Sequence, residues 1–407
     1  MKPLYFDVRD IFRTPRLALS GKKIWVHLLG LGLGWAVYLI LSYVALIVNG
    51  QSIVEIWNTH FLFPCLFSVG LPIAWYAWLI YGLGILLWVI IFLLASLAVS
   101  RITYKQLKGD EFYSSGDSLK YIKKHGTAVI MGPVSILLIM LFFIIMAIIA
   151  AWIAKWPVLD ILFLGIPYLL YFVVAVFVVY TAVVFVVSLI LGAGIVGTAE
   201  EDTMETVFQS YSTLWAQPWR LVIYEGVVVG LTSVAVYIYS YAIIIGYQFF
   251  NFVFGQSWLM GGKLSRIMEQ ASSYIFGVNS PLTPFLRKVF NLYTPASLGM
   301  VRPLYLTTTD IITTVFIAIA LFVIGGSAVA YLLTNFSVGQ SLIYVILRKK
   351  KDDEDLVARK DEDELGEEEK EEDEKLDSPE PAEDEKATDD TDTESSAEST
   401  DEKTDDK

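Results

Sequence analysis

Six stretches of this chain, residues 24–48, 72–100, 128–154, 161–196, 221–254 and 311–333, are long, apolar and almost free of charge. A hydrocarbon core of about 30 Å takes roughly 20 residues of helix to cross, and a chain inside it must satisfy every backbone N–H and C=O internally. Each stretch therefore reads as one transmembrane helix. Those longer than the core must tilt, kink or project beyond it, and Gly192, Gly194 and Gly197 mark where the fourth can bend as it leaves the bilayer. The expected fold class is an all-α integral membrane protein of about six transmembrane helices, with cytoplasmic and outer amphipathic helices and a disordered acidic C-terminal tail.

The tail is a separate object in charge terms. From residue 352 onward there are 29 Asp/Glu against 7 Lys/Arg, whereas the residues before it carry 14 against 23. With so few apolar residues the tail cannot offset its ordering entropy, so disorder is expected there. Residues 348–351, Arg-Lys-Lys-Lys, should hold the end of the last helix at an anionic leaflet that repels the acidic run after them. The tail then either spaces and solvates or engages cytoplasmic protein partners.

Orientation follows from the basic residues. With the N-terminus inside, 17 of the body's 23 Lys/Arg lie on the inner side, in residues 1–23, 101–124, Arg220 and 348–351. Lys155, Lys263, Arg266, Arg287, Lys288 and Arg302 are the exceptions, and long segments translocate with little regard to charge. Both termini are expected in the cytoplasm, in the inner (plasma) membrane. Residues 1–23 mix Lys2, Arg9, Arg13, Arg16, Lys22 and Lys23 with apolar side chains, as suits a segment lying on the leaflet. The first apolar run has no small-x-small exit, so it reads as a retained span rather than a cleaved signal.

In the outer loop, residues 255–309, Leu264, Ile267, Met268, Ala271 and Ile275 recur at helical spacing, which predicts an amphipathic helix. Phe285, Leu286, Val289, Phe290 and Tyr293 predict a shorter one between Pro284 and Pro295. Such faces bind a partner or pack on the protein's own helices.

Two polar connectors, residues 101–127 and 197–220, suggest an internal repeat. Each carries an acid, a hydroxyl and an apolar residue in order, Asp117-Ser118-Leu119 and Asp202-Thr203-Met204. Asp202 with Glu205, or Thr198 with Glu201, has the spacing of a capping box, and the two hairpins would be parallel repeats about an axis along the membrane normal. Leu107, Gly109, Asp110, the run 114–119, Asp10, Ile11, Phe12, Arg13, Pro15, Arg16 and Leu17 resemble uncharacterised polytopic bacterial inner-membrane proteins, including the membrane domain attached to some glycerophosphodiester phosphodiesterases. That resemblance implies an integral membrane module and carries no activity, because no phosphodiesterase domain accompanies it here.

Chemistry is sparse. His27, His60 and His125 are too dispersed for a His-x-x-x-His metal site, and Cys65 is the one cysteine, so neither a cysteine cage nor an internal disulfide is expected. No cofactor, metal centre or nucleic-acid partner is expected. Gly30 with Gly34, and Gly226 with Gly230, have the spacing of helix-packing faces. Glu225 is the one carboxylate inside a span and His27 lies near a span end, so these two are the polar candidates, either interfacial groups or a coupling site. Two functions remain open: a non-enzymatic scaffold or partner-binding module, and a transporter or lipid-handling permease with a site between the two hairpins. The second predicts a polar, water-accessible cavity around Glu225.

Overall fold

The computed structural model describes residues 4–60, 62–68, 73–256, 258–260, 262–276, 307–361, 364 and 365. Residues 1–359 form one unit and residues 360–407 another. The first begins with the short helices α1 (Val8–Ile11) and α2 (Thr14–Ala18). It continues through α3 (Gly21–Val48), α4 (Ile53–His60), α5 (Trp75–Lys108), α6 (Ser115–Ile153), α7 (Tyr168–Ala199), α8 (Thr203–Ala216), α9 (Pro218–Phe254), α10 (Gly262–Phe276) and α11 (Thr308–Asp352). Among the described residues six helices, α3, α5, α6, α7, α9 and α11, are long and apolar enough to cross a membrane, and there is no strand. The chain is a multi-pass, all-α membrane protein. In the second unit, the Asp361 carboxylate accepts a hydrogen bond from the Glu364 N–H at 3.1 Å. Most of the acidic tail, and the element expected around Phe285 to Tyr293, lie outside the described residues.

The helices run well past the apolar stretches at one end, the end that carries both α1 and the last turn of α11. We call this the terminal face. Residues 95–105 of α5, 191–199 of α7 and 337–347 of α11 are buried without interruption, and the largest apolar cluster joins Leu191, Ile195, Val228, Ile343 and Ile346 there. Toward the opposite face the spans expose their apolar side chains, as helices bathed in lipid do. α11 is the hub, packed against α3, α5, α7, α9 and α10. The apolar stretch ends at Leu333, but the helix continues to Asp352, and polarity rises after Leu333 because the helix is entering a protein core rather than leaving one.

Residues 4–23 belong to that core. Ile11 and Ala18 are fully buried and Leu17 nearly so, in clusters with Tyr104, Tyr331 and Leu342. Only Phe12, Leu19 and a few neighbours keep an apolar face outward, so the segment lies on the protein first and on lipid second. α8 shows the same division reversed in polarity. Its Thr206, Gln209, Ser210 and Thr213 point inward while Met204, Phe208 and Trp215 are exposed, a side-chain distribution that suits the bilayer interface.

The two connectors differ. Ser114 accepts from the Asp117 N–H at 3.1 Å and starts α6, which runs unbroken into its span. Asp202 accepts from the Glu205 N–H at 2.9 Å but caps a separate helix, and Thr198 bonds the Gly194 carbonyl instead of capping. The break falls at Gln217 because Pro218 has no N–H and disfavours the helical conformation before it. The fourth apolar stretch also begins with a single π turn, Ile166 N–H reaching the Ile161 carbonyl at 2.9 Å, before α7 starts after Pro167. Between α9 and α11, α10 buries Leu264, Ile267, Met268, Ala271 and Ile275, packs against Ala318 and Leu321 of α11, and ties Lys263 to Asp310 at 2.9 Å.

The end of α11 corrects another expectation. Arg348 pairs with Glu354 at 2.8 Å and Asp352 at 3.2 Å, Lys349 with Asp353 at 2.8 Å, and Lys350 with Asp7. Lys351 donates to Gln209 at 2.9 Å. The four cations are thus engaged with the protein's own groups, and the first acidic residues of the tail fold back toward them. Asp353 takes a left-handed conformation (φ 55°) that reverses the chain. Leu356 is then fully buried, its carbonyl accepts from the Tyr104 hydroxyl at 2.8 Å, and Arg359 donates to the Ala199 carbonyl at the end of α7 at 2.9 Å. Residues 352–359 form a clasp.

Candidate functional site

The polar groups that enter the spans converge on one stretch of α11, residues 334–341. Its own hydroxyls and amide bond back to the helix: Thr334 to the Ala330 carbonyl at 2.7 Å, Asn335 to Tyr331 at 2.9 Å, Ser337 to Leu333 at 3.1 Å and Ser341 to Ser337 at 2.9 Å. Back-bonding of this kind lets a hydroxyl be buried in a membrane helix at low cost. Neighbouring helices then reach the same seam. His27 of α3 meets the Ser337 hydroxyl through Nε2 at 3.0 Å, Ser100 of α5 meets Ser341 at 2.8 Å, and Gln340 donates to the Glu225 carboxylate of α9 at 2.9 Å. The two candidates from the sequence, His27 and Glu225, are therefore brought to one helix, within one turn of each other's partner. His60 and His125 are not among these groups.

Just toward the terminal face lies a buried ion pair. Arg101 is fully buried, bonds Glu200 at 2.7 Å, and is flanked by the rings of Tyr121 at 4.4 Å and Tyr104 at 5.3 Å. Sequence reasoning counted Arg101, Lys23 and Lys105 among the cations exposed on the inner side, yet all three are buried. Lys23 reaches the Leu17 carbonyl at 3.1 Å and Gln106 at 2.8 Å. No signal in a single sequence separates a cation that follows a span into water from one that follows it into a core. The fixed geometry of Arg101 favours a structural role, setting the register of α5 against α7.

Close packing frames the site. A side-chain carbon at Gly30 would lie 2.8 Å from Ala95 Cβ, and one at Gly34 would collide with the Trp88 ring, so this pair is a packing face between α3 and α5. Gly226 and Gly230 are not: nothing lies within 4 Å of either, because the buried stripe of α9 is Leu221, Tyr224, Val228 and Thr232. Two spaces flank the seam. A crevice of about 300 Å³ between α3, α5 and α11 is lined by His27, Trp88, Phe92 and Leu333. Between the two hairpins a space of about 10 Å³, bounded by Ser96, Ser337 and Gln340, is at the lower limit for a single water. Neither is lined by Glu225.

No family model matches this chain, and no curated protein or solved structure is significantly similar to it. The site's chemistry must stand on its own geometry. His27 with Ser337 has the distance of a nucleophile and base, but no group orients His27 Nδ1, so the parts of an activated nucleophile are not assembled. Among the described residues no three His, Cys, Asp or Glu side chains come together as a metal site. What the seam does offer is hydrogen-bonding capacity left over. Glu225 Oε1, Gln340 Oε1 and Ser96 Oγ are buried without a partner.

Proposed function

We propose that this protein is a non-enzymatic membrane scaffold, residing in the inner (plasma) membrane with both termini cytoplasmic, whose acidic segment beyond Arg359 engages protein partners. The observation that carries the reading is the clasp. The last residues before the acidic run are tied to α5, α7 and α11 through Leu356, Arg359 and Glu354, so the segment begins from a fixed anchor. The excess of basic residues in the inner segments supports the orientation.

The test compares two proteins in their native membrane, the full chain and one ending at Arg359, by crosslinking and co-purification. Partners lost with residues 360–407 support the scaffold, and an identical partner set sinks it. A reporter enzyme fused after Lys407 checks the orientation, since periplasmic activity would reverse it. The rival reading, a permease, draws on the small space between the hairpins, but that space does not reach Glu225. It calls for substrate flux in vesicles that Glu225→Gln abolishes.

A further inference from the structure

We infer that α8 is set into the leaflet on the terminal face, with its outward line in contact with lipid acyl chains. The inference is independent of the scaffold role and of the tail. A helix at a water-facing protein surface turns its apolar side inward, and α8 does the reverse. Thr206, Gln209, Ser210 and Thr213 are buried, while Met204, Phe208 and Trp215 stand outward at 61% exposure or more. Their spacing, four residues and then seven, puts all three on one side of the helix. Ser212 is the exposed polar group among them, and its hydroxyl accepts from Lys351 at 3.0 Å.

The helix cannot roll to hide that line. Val207 packs with Ile136 of α6 and Val184 of α7, Tyr180 of α7 donates to the Tyr211 carbonyl at 3.2 Å, and Lys351 of α11 holds Gln209 at 2.9 Å. Thr206 also lies so near Gly132 of α6 that a carbon added there would come within 3.2 Å of it. What covers the line follows from where it leads. Ile136 and Val184 sit on membrane-crossing helices whose neighbouring residues Leu137, Leu138, Val183 and Val186 are exposed. Val183 lines the same hollow of about 370 Å³ as Trp215, so the outward line of α8 is continuous with the lipid-facing wall of α7. Pro218 lines it too, and the next residue, Trp219, is 79% exposed. Indole rings favour the bilayer interface, where the ring meets acyl chain and the N–H stays wet. The first turn of α8 carries Glu205 behind the Asp202 cap, so apolar burial rather than attraction to anionic headgroups holds it there.

The test places the photo-crosslinker benzoylphenylalanine at Met204, Phe208 or Trp215 of the full-length protein in phosphatidylcholine vesicles and reads the mass of the adduct. All three positions should take lipid, at yields like that of Ile148 on the exposed apolar face of α6 and severalfold above that of Ala358, exposed on the clasp. Lipid yields no higher than at Ala358 would overturn the assignment. So would adducts to a second copy of the chain or to another protein in place of lipid. Phe208→Gln gives an independent reading in nanodiscs. It should lower the unfolding temperature, because a polar side chain then faces acyl chains, whereas Ala358→Gln should leave it unchanged. An unchanged unfolding temperature for Phe208→Gln would put that face in water and sink the inference.

Discussion

Arg101 and Glu200 show how two charges can be kept at the edge of a bilayer bundle. Each would be costly alone; paired at 2.7 Å and enclosed by Tyr104 and Tyr121, they hold α5 and α7 in one register. Glu200→Gln should destabilise the protein by about 3 kcal/mol, because it leaves a buried cation without its counter-charge, and thermal unfolding in detergent measures it. The clasp should respond to pH. Burial pushes the Glu354 carboxyl up, but hydrogen bonds from Arg348 and Arg359 outweigh it and hold Glu354 below its ordinary 4.5. A carboxylate depressed in the folded state stabilises it above the unfolded value and stops doing so as pH falls through the folded one. Asp353, lowered by Lys349, acts in the same sense; Glu201, raised by burial, opposes them. The expected outcome is loosening of residues 352–359 below pH 4.5, read by spin-label distances between the exposed positions 358 and 204, with no loosening on going from pH 7 to pH 6.

At the scale of elements, contact rather than composition decides which glycines matter. A carbon added at Gly197 would lie 2.6 Å from Ser100 Cβ and 3.2 Å from the Arg101 backbone nitrogen, whereas nothing stands within 4 Å of Gly192. Gly197→Ala should therefore separate α5 from α7 and cost upwards of about 1 kcal/mol, an overpacking effect. Gly192→Ala should be neutral or stabilise by up to about 1 kcal/mol through helix propensity. Denaturant unfolding of the two variants side by side checks the contrast. The sequence marked both glycines as one bend in the fourth span and could not tell them apart. It likewise gave Gly226 and Gly230 the spacing of Gly30 and Gly34, although only the latter pair has a helix against it.

At the scale of the whole molecule, the division between anchor and tail falls at Arg359 rather than at Asp352. A chain ending at Arg359 should unfold at the same temperature as the full protein, while one ending at Lys351 should be less stable, having lost Leu356 and the groups around it. Leu356→Ala alone should cost about 2–5 kcal/mol, the range for a fully buried leucine. Equal unfolding temperatures for the two truncated chains would remove the clasp from this account. The same folding-back explains why the four cations at 348–351 looked like a leaflet anchor: charge runs are visible in sequence, but the acids that meet them, Asp7 and Glu354 among them, are chosen by the fold.

The sequence by itself determined the number and course of the membrane helices, because length and hydropathy alone settle whether a segment can cross hydrocarbon. It also exposed the amphipathic helix α10, whose period of burial is local to Leu264 through Ile275. Tertiary structure alone decided that residues 337–347 of α11 are buried in a protein core, that residues 4–23 enter that core, and that His27 and Glu225 meet the same turn of one helix. Those outcomes depend on partners hundreds of residues away, such as Ser337 for His27 and Gln340 for Glu225. A polar residue after a span reads the same whether water or protein lies beyond it, and only the fold supplies the difference.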